Sequence, residues 1–146
     1  LPRGDQKTGV IAEFYARLYA KAVFSNSEFV YGNPSEPVSD IVVKRKSCPA
    51  LKIQVKAVSA HAELGRISPL HPGWDQLWLM RLNCDLVPEG FWIVDKSDVD
   101  WAGQTIKSST MPQRGRLDTG SARYRCARDE LDALLKTLKS VREVDE

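Results

Sequence analysis

Ser39-Asp40-Ile41-Val42-Val43 and Leu51-Lys52-Ile53-Gln54-Val55-Lys56-Ala57-Val58 are two apolar-rich runs on either side of a basic turn, Lys44-Arg45-Lys46. They read as the two strands of a hairpin, Val38 to Lys46 and Leu51 to Val58. Successive strand residues alternate faces, so Ile53 and Val55 share one side while Gln54 and Lys56 share the other. The hairpin can bring Asp40, at the start of its first strand, towards that second side. An acid, an amide oxygen and a lysine on one face are the parts needed to hold a divalent cation beside a phosphate.

Outward from the hairpin, the pattern gives one helix before it. Val10, Ile11, Phe14, Tyr15, Leu18 and Ala22 recur at helical spacing from Thr8 to Ala22, with Thr8 as a cap. Ala12, Ala16 and Ala20 form a stripe of small residues that lets this helix sit close to a sheet. Glu13 lies beside the stripe. Glu28 to Tyr31 is a short strand, and Gly32-Asn33-Pro34-Ser35-Glu36-Pro37 a loop by composition. After the hairpin, Ser59 to Asp75 reads as a long functional loop. Gln76 to Leu82 and Gly90 to Asp95 are apolar enough to be strands covered on both faces, joined by a polar turn from Asn83 to Glu89. A short helix is expected within Ser97 to Lys107 and an exposed loop from Met111 to Gly120. The chain closes with a helix from Asp129 to Val141, whose apolar stripe is Leu131, Leu134, Leu135, Leu138 and Val141. Helix, strands and helix in this order predict an α/β fold with a central mixed β-sheet flanked by helices.

The 146 residues are read as a single domain, 1–146, with 42% hydrophobic residues for a core and 27% charged residues. No apolar run reaches the ~20 residues of a membrane span. The polar start, and Glu13, Arg17 and Lys21 within the first apolar stretch, argue against a cleaved leader. Cys48, Cys84 and Cys126 are too scattered for a metal set and cannot all pair within one chain, so a reducing, cytoplasmic setting is expected. His61 and His71 do not make a zinc motif, and no glycine-rich phosphate loop is present. Net charge is only +2, yet Lys107, Arg114, Arg116, Arg123, Arg125 and Arg128 face a single acid, Asp118, between Ala102 and Arg128. Such a segment suits an anionic partner, or else is a solvated loop. The tryptophans, Trp74, Trp78, Trp92 and Trp101, are expected to pack the core, with Trp74 and Trp101 in less regular segments.

A helix bearing Glu13, then Ser39-Asp40 opening a strand, then Ile53-Gln54-Val55-Lys56 in the next strand resembles the PD-(D/E)xK nuclease superfamily, in its QxK variant. The likeness covers Thr8 to Asp95. It implies the restriction-endonuclease-like fold. It also implies a site in which Glu13, Asp40 and Gln54 hold Mg²⁺ or Mn²⁺, and Lys56 orients water or stabilises developing charge. Two positions depart from the family pattern: Ser39 stands where proline is usual, and Gln54 where an acid is usual. An amide carbonyl still offers oxygen to a hard cation, but it brings no charge.

The function this implies is metal-dependent endonuclease hydrolysis of phosphodiester bonds, in DNA rather than RNA. Contacts to the nucleic acid are expected from Lys44, Arg45, Lys46, Arg114, Arg116 and Arg123, positioning the strand without reading its sequence. Cutting two strands needs two sites, so family habit implies a homodimer. Two other readings use the same fold. One is a catalytically decayed nucleic-acid-binding module, marked by Gln54. The other is a protein-interaction module in which the apolar strands and tryptophans form a dimer interface.

Overall fold

Alanines at 12, 16 and 20 leave one face of the first helix without bulk, and all three are fully buried. In the computed structural model, which describes residues 4–32, 40–59, 73–96 and 127–145, this helix, α1 (Gly4–Val23), lies across the sheet on that face. Tyr19 extends the buried side, edge-on to Trp78 and Phe91 at centroid distances of 5.6 and 5.2 Å. The larger apolar side chains Val10 and Phe14 point outwards instead. Close approach to a sheet selects the small stripe over the large one. Thr8 lies inside α1 and does not cap it. Its hydroxyl is buried and hydrogen-bonded to Ser59 at 2.6 Å, tying the helix to the sheet. Asn26, left-handed at φ 66°, then turns the chain into the first strand.

The strands are β1 (Glu28–Tyr31), β2 (Ile41–Lys44), β3 (Leu51–Ser59), β4 (Gln76–Leu82), β5 (Pro88–Asp95) and β6 (Arg128–Asp129). They form one sheet in sequence order. Neighbours are antiparallel except β3 and β4, which run parallel. The second helix, α2 (Leu131–Asp145), packs on β5 and against α1, so both described helices share one face. Beneath them lie Ile41, Val43, Ile53, Trp78, Met80, Phe91 and Ile93. Val58, Trp74, Leu77, Leu79, Trp92 and Val94 form a separate buried cluster on the opposite side. The near-continuous apolar runs of β4 and β5 are therefore covered on both faces, as their composition predicts.

Strand β5 starts two residues before the expected Gly90. That glycine is required by close approach: a Cβ there would stand 2.3 Å from the Trp92 ring. Gly90→Ala must push the indole out of its cluster, and overpacking of this kind costs about 1–3 kcal/mol. Urea unfolding should show the loss as a lower midpoint with an unchanged slope.

The final helix begins at Leu131, since Arg128 and Asp129 pair with β5 instead. Asp129 then accepts the Leu131 amide at 3.1 Å, and the Glu130 amide donates to the Phe91 carbonyl at 2.9 Å. No described helix is long and apolar enough to cross a membrane. The expected helix within Ser97 to Lys107, the Met111–Gly120 loop and most of the Ser59–Asp75 loop lie outside the described residues.

Candidate active site

The β2–β3 ladder runs from the Val43–Leu51 pair to the Ile41–Ile53 pair, and Asp40 is the residue at which it stops. Its amide donates to the Ile53 carbonyl at 2.9 Å, and its Oδ2 accepts the Val55 amide at 2.7 Å. The carboxylate thus takes the place of a backbone carbonyl where the strands part. These two bonds bracket Gln54, so Asp40 stands opposite it. Only one oxygen is used this way.

On β3, Ile53, Val55 and Ala57 pack with the helix-side core, while Val58 belongs to the opposite cluster. The alternation puts Gln54 and Lys56 on the latter side, beside Leu77 and Leu79 of β4. Gln54 is almost fully buried and has contacts of its own. Its Oε1 accepts no hydrogen bond from the described residues.

Burial pushes the Asp40 carboxyl above its ordinary range. The bond from Val55 opposes that shift, the neighbouring Glu13 carboxylate adds to it, and Lys56 and Arg17 oppose it. Burial likewise lowers the Lys56 ammonium, with Asp40 working against it. Asp40 and Lys56 are therefore an oppositely charged pair in which loss of water outweighs mutual attraction.

Glu13 reaches this place from α1. Its Oε1 accepts a hydrogen bond from Arg17 Nη2 at 2.7 Å, and both side chains pass Gly32, whose amide donates to the Asp40 carbonyl at 3.1 Å. Asp40 is the common neighbour: the Glu13 carboxylate and the Lys56 ammonium each act on its carboxyl, and Gln54 stands opposite it where the ladder ends.

Two residues here are not signalled by the chemistry of a cation site. Arg17 is one helical turn from Glu13, a spacing readable as an ion pair. Tyr31 lies under the Arg17 guanidinium, with Cζ 4.4 Å from the ring centroid. Sequence offers no sign of that contact.

The basic turn lies elsewhere. Lys44 is four residues along β2 from Asp40, roughly 13 Å at ~3.3 Å per residue. Lys44 and Lys46 are exposed, whereas Arg45 donates to the Pro49 carbonyl at 3.1 Å and serves to close the turn. Arg114, Arg116 and Arg123, like Lys107, His61, His71, Trp101 and Cys126, lie outside the described residues. Arg128, from the basic segment, is committed to an ion pair with Asp95. Asp95 also accepts from Gln76 Nε2 at 3.0 Å, and Gln76 in turn from the Trp78 indole at 3.0 Å. Cys48 and Cys84 are exposed.

The donor set fits a small hard cation. It consists of oxygens, two from carboxylates and one from an amide, which suits Mg²⁺ or Mn²⁺ over softer metals. Among the described residues no group of three or more His, Cys, Asp or Glu is arranged to hold a metal. A cation at this place would depend on Gln54 and water to complete its shell.

No protein-family model and no curated protein matches the chain. Among solved structures, the bacterial homing endonuclease I-Ssp6803I is similar, with a TM-score of 0.50 and 16% identity. The match covers 95% of this chain and 96% of that one. At this identity the likeness establishes the architecture: the chain has a restriction-endonuclease-like fold, a mixed sheet with flanking helices.

Proposed function

We propose that this protein is a metal-dependent endonuclease hydrolysing phosphodiester bonds in DNA inside the cell. The observation that carries the reading is the Asp40–Lys56 pair, held half-buried against its own solvation where β2 and β3 part, with Glu13 beside it. A fold gains nothing in stability from such a pair, and perturbed groups of opposite charge are a mark of chemistry. The likeness to a homing endonuclease supports DNA as the polymer.

Asp40 and Glu13 would hold the cation, with Gln54 adding a neutral oxygen. Such a cation would supply Lewis acidity for phosphodiester hydrolysis. Lys56 offers its ammonium to the charge that develops on the phosphoryl oxygens. Lys44 and Lys46, together with Arg114, Arg116 and Arg123, contact phosphates of the DNA strand, and a homodimer supplies one site per strand.

Calorimetric titration with Mg²⁺, followed by incubation with plasmid DNA, tests this. Binding together with cleavage is expected. A second reading, a non-catalytic DNA-binding module, is favoured by one observation, the neutral Gln54 in place of an acid; DNA binding indifferent to Mg²⁺ would establish it. Trp74, Trp78 and Trp92 are buried within the chain and are not available to line a dimer interface.

Gln54→Glu gives a sharper result. A third carboxylate at the same position should tighten Mg²⁺ binding by about tenfold or more, since ligand charge sets affinity for hard cations. Unchanged affinity would show that residue 54 is no ligand.

A further inference from the structure

We infer that Arg17 is a positioning residue for the cation site, holding the Glu13 carboxylate at the orientation a divalent ion needs while braced on the Tyr31 ring. The inference rests on the reading of Glu13 as a cation ligand.

The Arg17–Glu13 bridge alone would mean little. Its side chains are 38% and 28% exposed, and helical pairs of this spacing stabilise by only a few tenths of a kcal/mol. The guanidinium, however, is not held from one side only. Its Cζ sits 4.4 Å from the centre of Tyr31. Tyr31 is itself stacked parallel on Phe29 in the same strand, at 6.1 Å and 8° between planes. The arginine is thus a strut between α1 and the sheet, with its charged end on Glu13 Oε1. Its Nε is buried and has no hydrogen-bond partner among the described residues, so the hold runs through Nη2 and the ring face. A planar cation on an aromatic platform has a fixed orientation that a lysine at this position would lack. Among the described residues the Arg17 bond engages only Oε1 of Glu13.

An arginine so near a cation site has two opposite effects. Its charge repels the incoming ion. Its grip pre-orients a ligand, and outer-shell partners of that kind are worth about 10–100-fold in metal affinity. The sign of the change on removing Arg17 decides between them. In calorimetric titration with Mg²⁺ alone, Arg17→Met should weaken binding by about tenfold. Arg17→Lys, which keeps the repelling charge but not the planar grip, should weaken it at least as much. In a Glu13→Gln background the same Arg17→Met change should no longer weaken binding and should tighten it, because only repulsion is then removed. If Arg17→Met does not fold, Tyr31→Leu carries the test: it leaves the ion pair, removes the platform, and should weaken Mg²⁺ binding.

Equal or tighter Mg²⁺ binding by folded Arg17→Met or Tyr31→Leu overturns the inference. It leaves the site reading standing provided wild type binds Mg²⁺ and Asp40→Asn does not. A wild type that binds no Mg²⁺, or an Asp40→Asn variant that binds as wild type does, overturns the site reading and this inference with it.

Discussion

Asp40→Asn should leave the sheet intact and lower DNA cleavage by about a thousandfold or more, with Mg²⁺ binding abolished in parallel. The fold survives because an asparagine oxygen can still accept the Val55 amide at the end of the β2–β3 ladder. What disappears is the negative charge, and Lewis-acid stabilisation worth several kcal/mol disappears with its ligand. Stability should move the other way. Burial raises the Asp40 carboxyl in the folded chain. A raised carboxyl binds its proton more tightly folded than unfolded. Its favourable contribution is therefore complete below the unfolded value, about pH 4, and is lost as pH rises through the folded value. At neutral pH the ionised aspartate weakens the fold, so Asp40→Asn should melt higher than wild type. That gap should narrow as pH falls through the raised folded value and be closed below about pH 4. Thermal melts at pH 7 and pH 3.5, beside cleavage assays, measure both halves. A variant that cleaves normally removes Asp40 from the site.

The site's strand-borne half is legible in the sequence because strand geometry has a fixed period. Once Leu51 to Val58 is a strand, Gln54 and Lys56 must share a face, and a short antiparallel partner must bring its first residue opposite one of them. Sequence secures Asp40 less firmly. Asp75 also opens a strand, and its Oδ2 also accepts a β3 amide, that of Lys52 at 2.8 Å. The two aspartates are local equivalents. Their backbones are held alike, each amide donating to a β3 carbonyl and each carbonyl accepting an amide from the other side; what sets Asp40 apart is its charged company, Glu13 and Arg17 from α1 and Lys56 from β3. That difference is tertiary, and no spacing rule contains it. Arg17 is hidden for the same reason: with Glu13 it reads as an ordinary surface pair, and its platform, Tyr31, comes from a strand. The two-residue strand β6 carries no periodicity at all. It forms because the outer edge of β5 has backbone groups to satisfy, and Arg128, Asp129 and Glu130 are the residues at hand.

Lys56→Met separates chemistry from binding. Methionine keeps the half-buried stem packed beside Leu79 and removes the ammonium. Cleavage should fall by about 10²–10³-fold, the usual loss when one donor to a developing anion is removed. DNA affinity should barely change, because one lysine is a small part of a phosphate-binding surface. Mg²⁺ should bind as well or better, since a nearby positive charge has gone. Stability again gives an independent sign. Burial lowers the Lys56 ammonium, so its favourable contribution exists only above the unfolded value near pH ~10.4 and is lost as pH falls through the folded one. At neutral pH the charged lysine therefore weakens the fold, and Lys56→Met should melt no lower than wild type. Neutralising Lys44 and Lys46, or Arg114, Arg116 and Arg123, should do the reverse of Lys56→Met. Affinity should weaken for all DNA sequences alike, and cleavage of bound DNA should persist. The log–log salt slope should flatten by about one unit for each phosphate no longer neutralised. Normal cleavage by Lys56→Met would mean that the lysine is only a snorkelling neighbour of Asp40. An unchanged salt slope in both sets would place the DNA on another face, and the parting of β2 and β3 would then have to be reached from there.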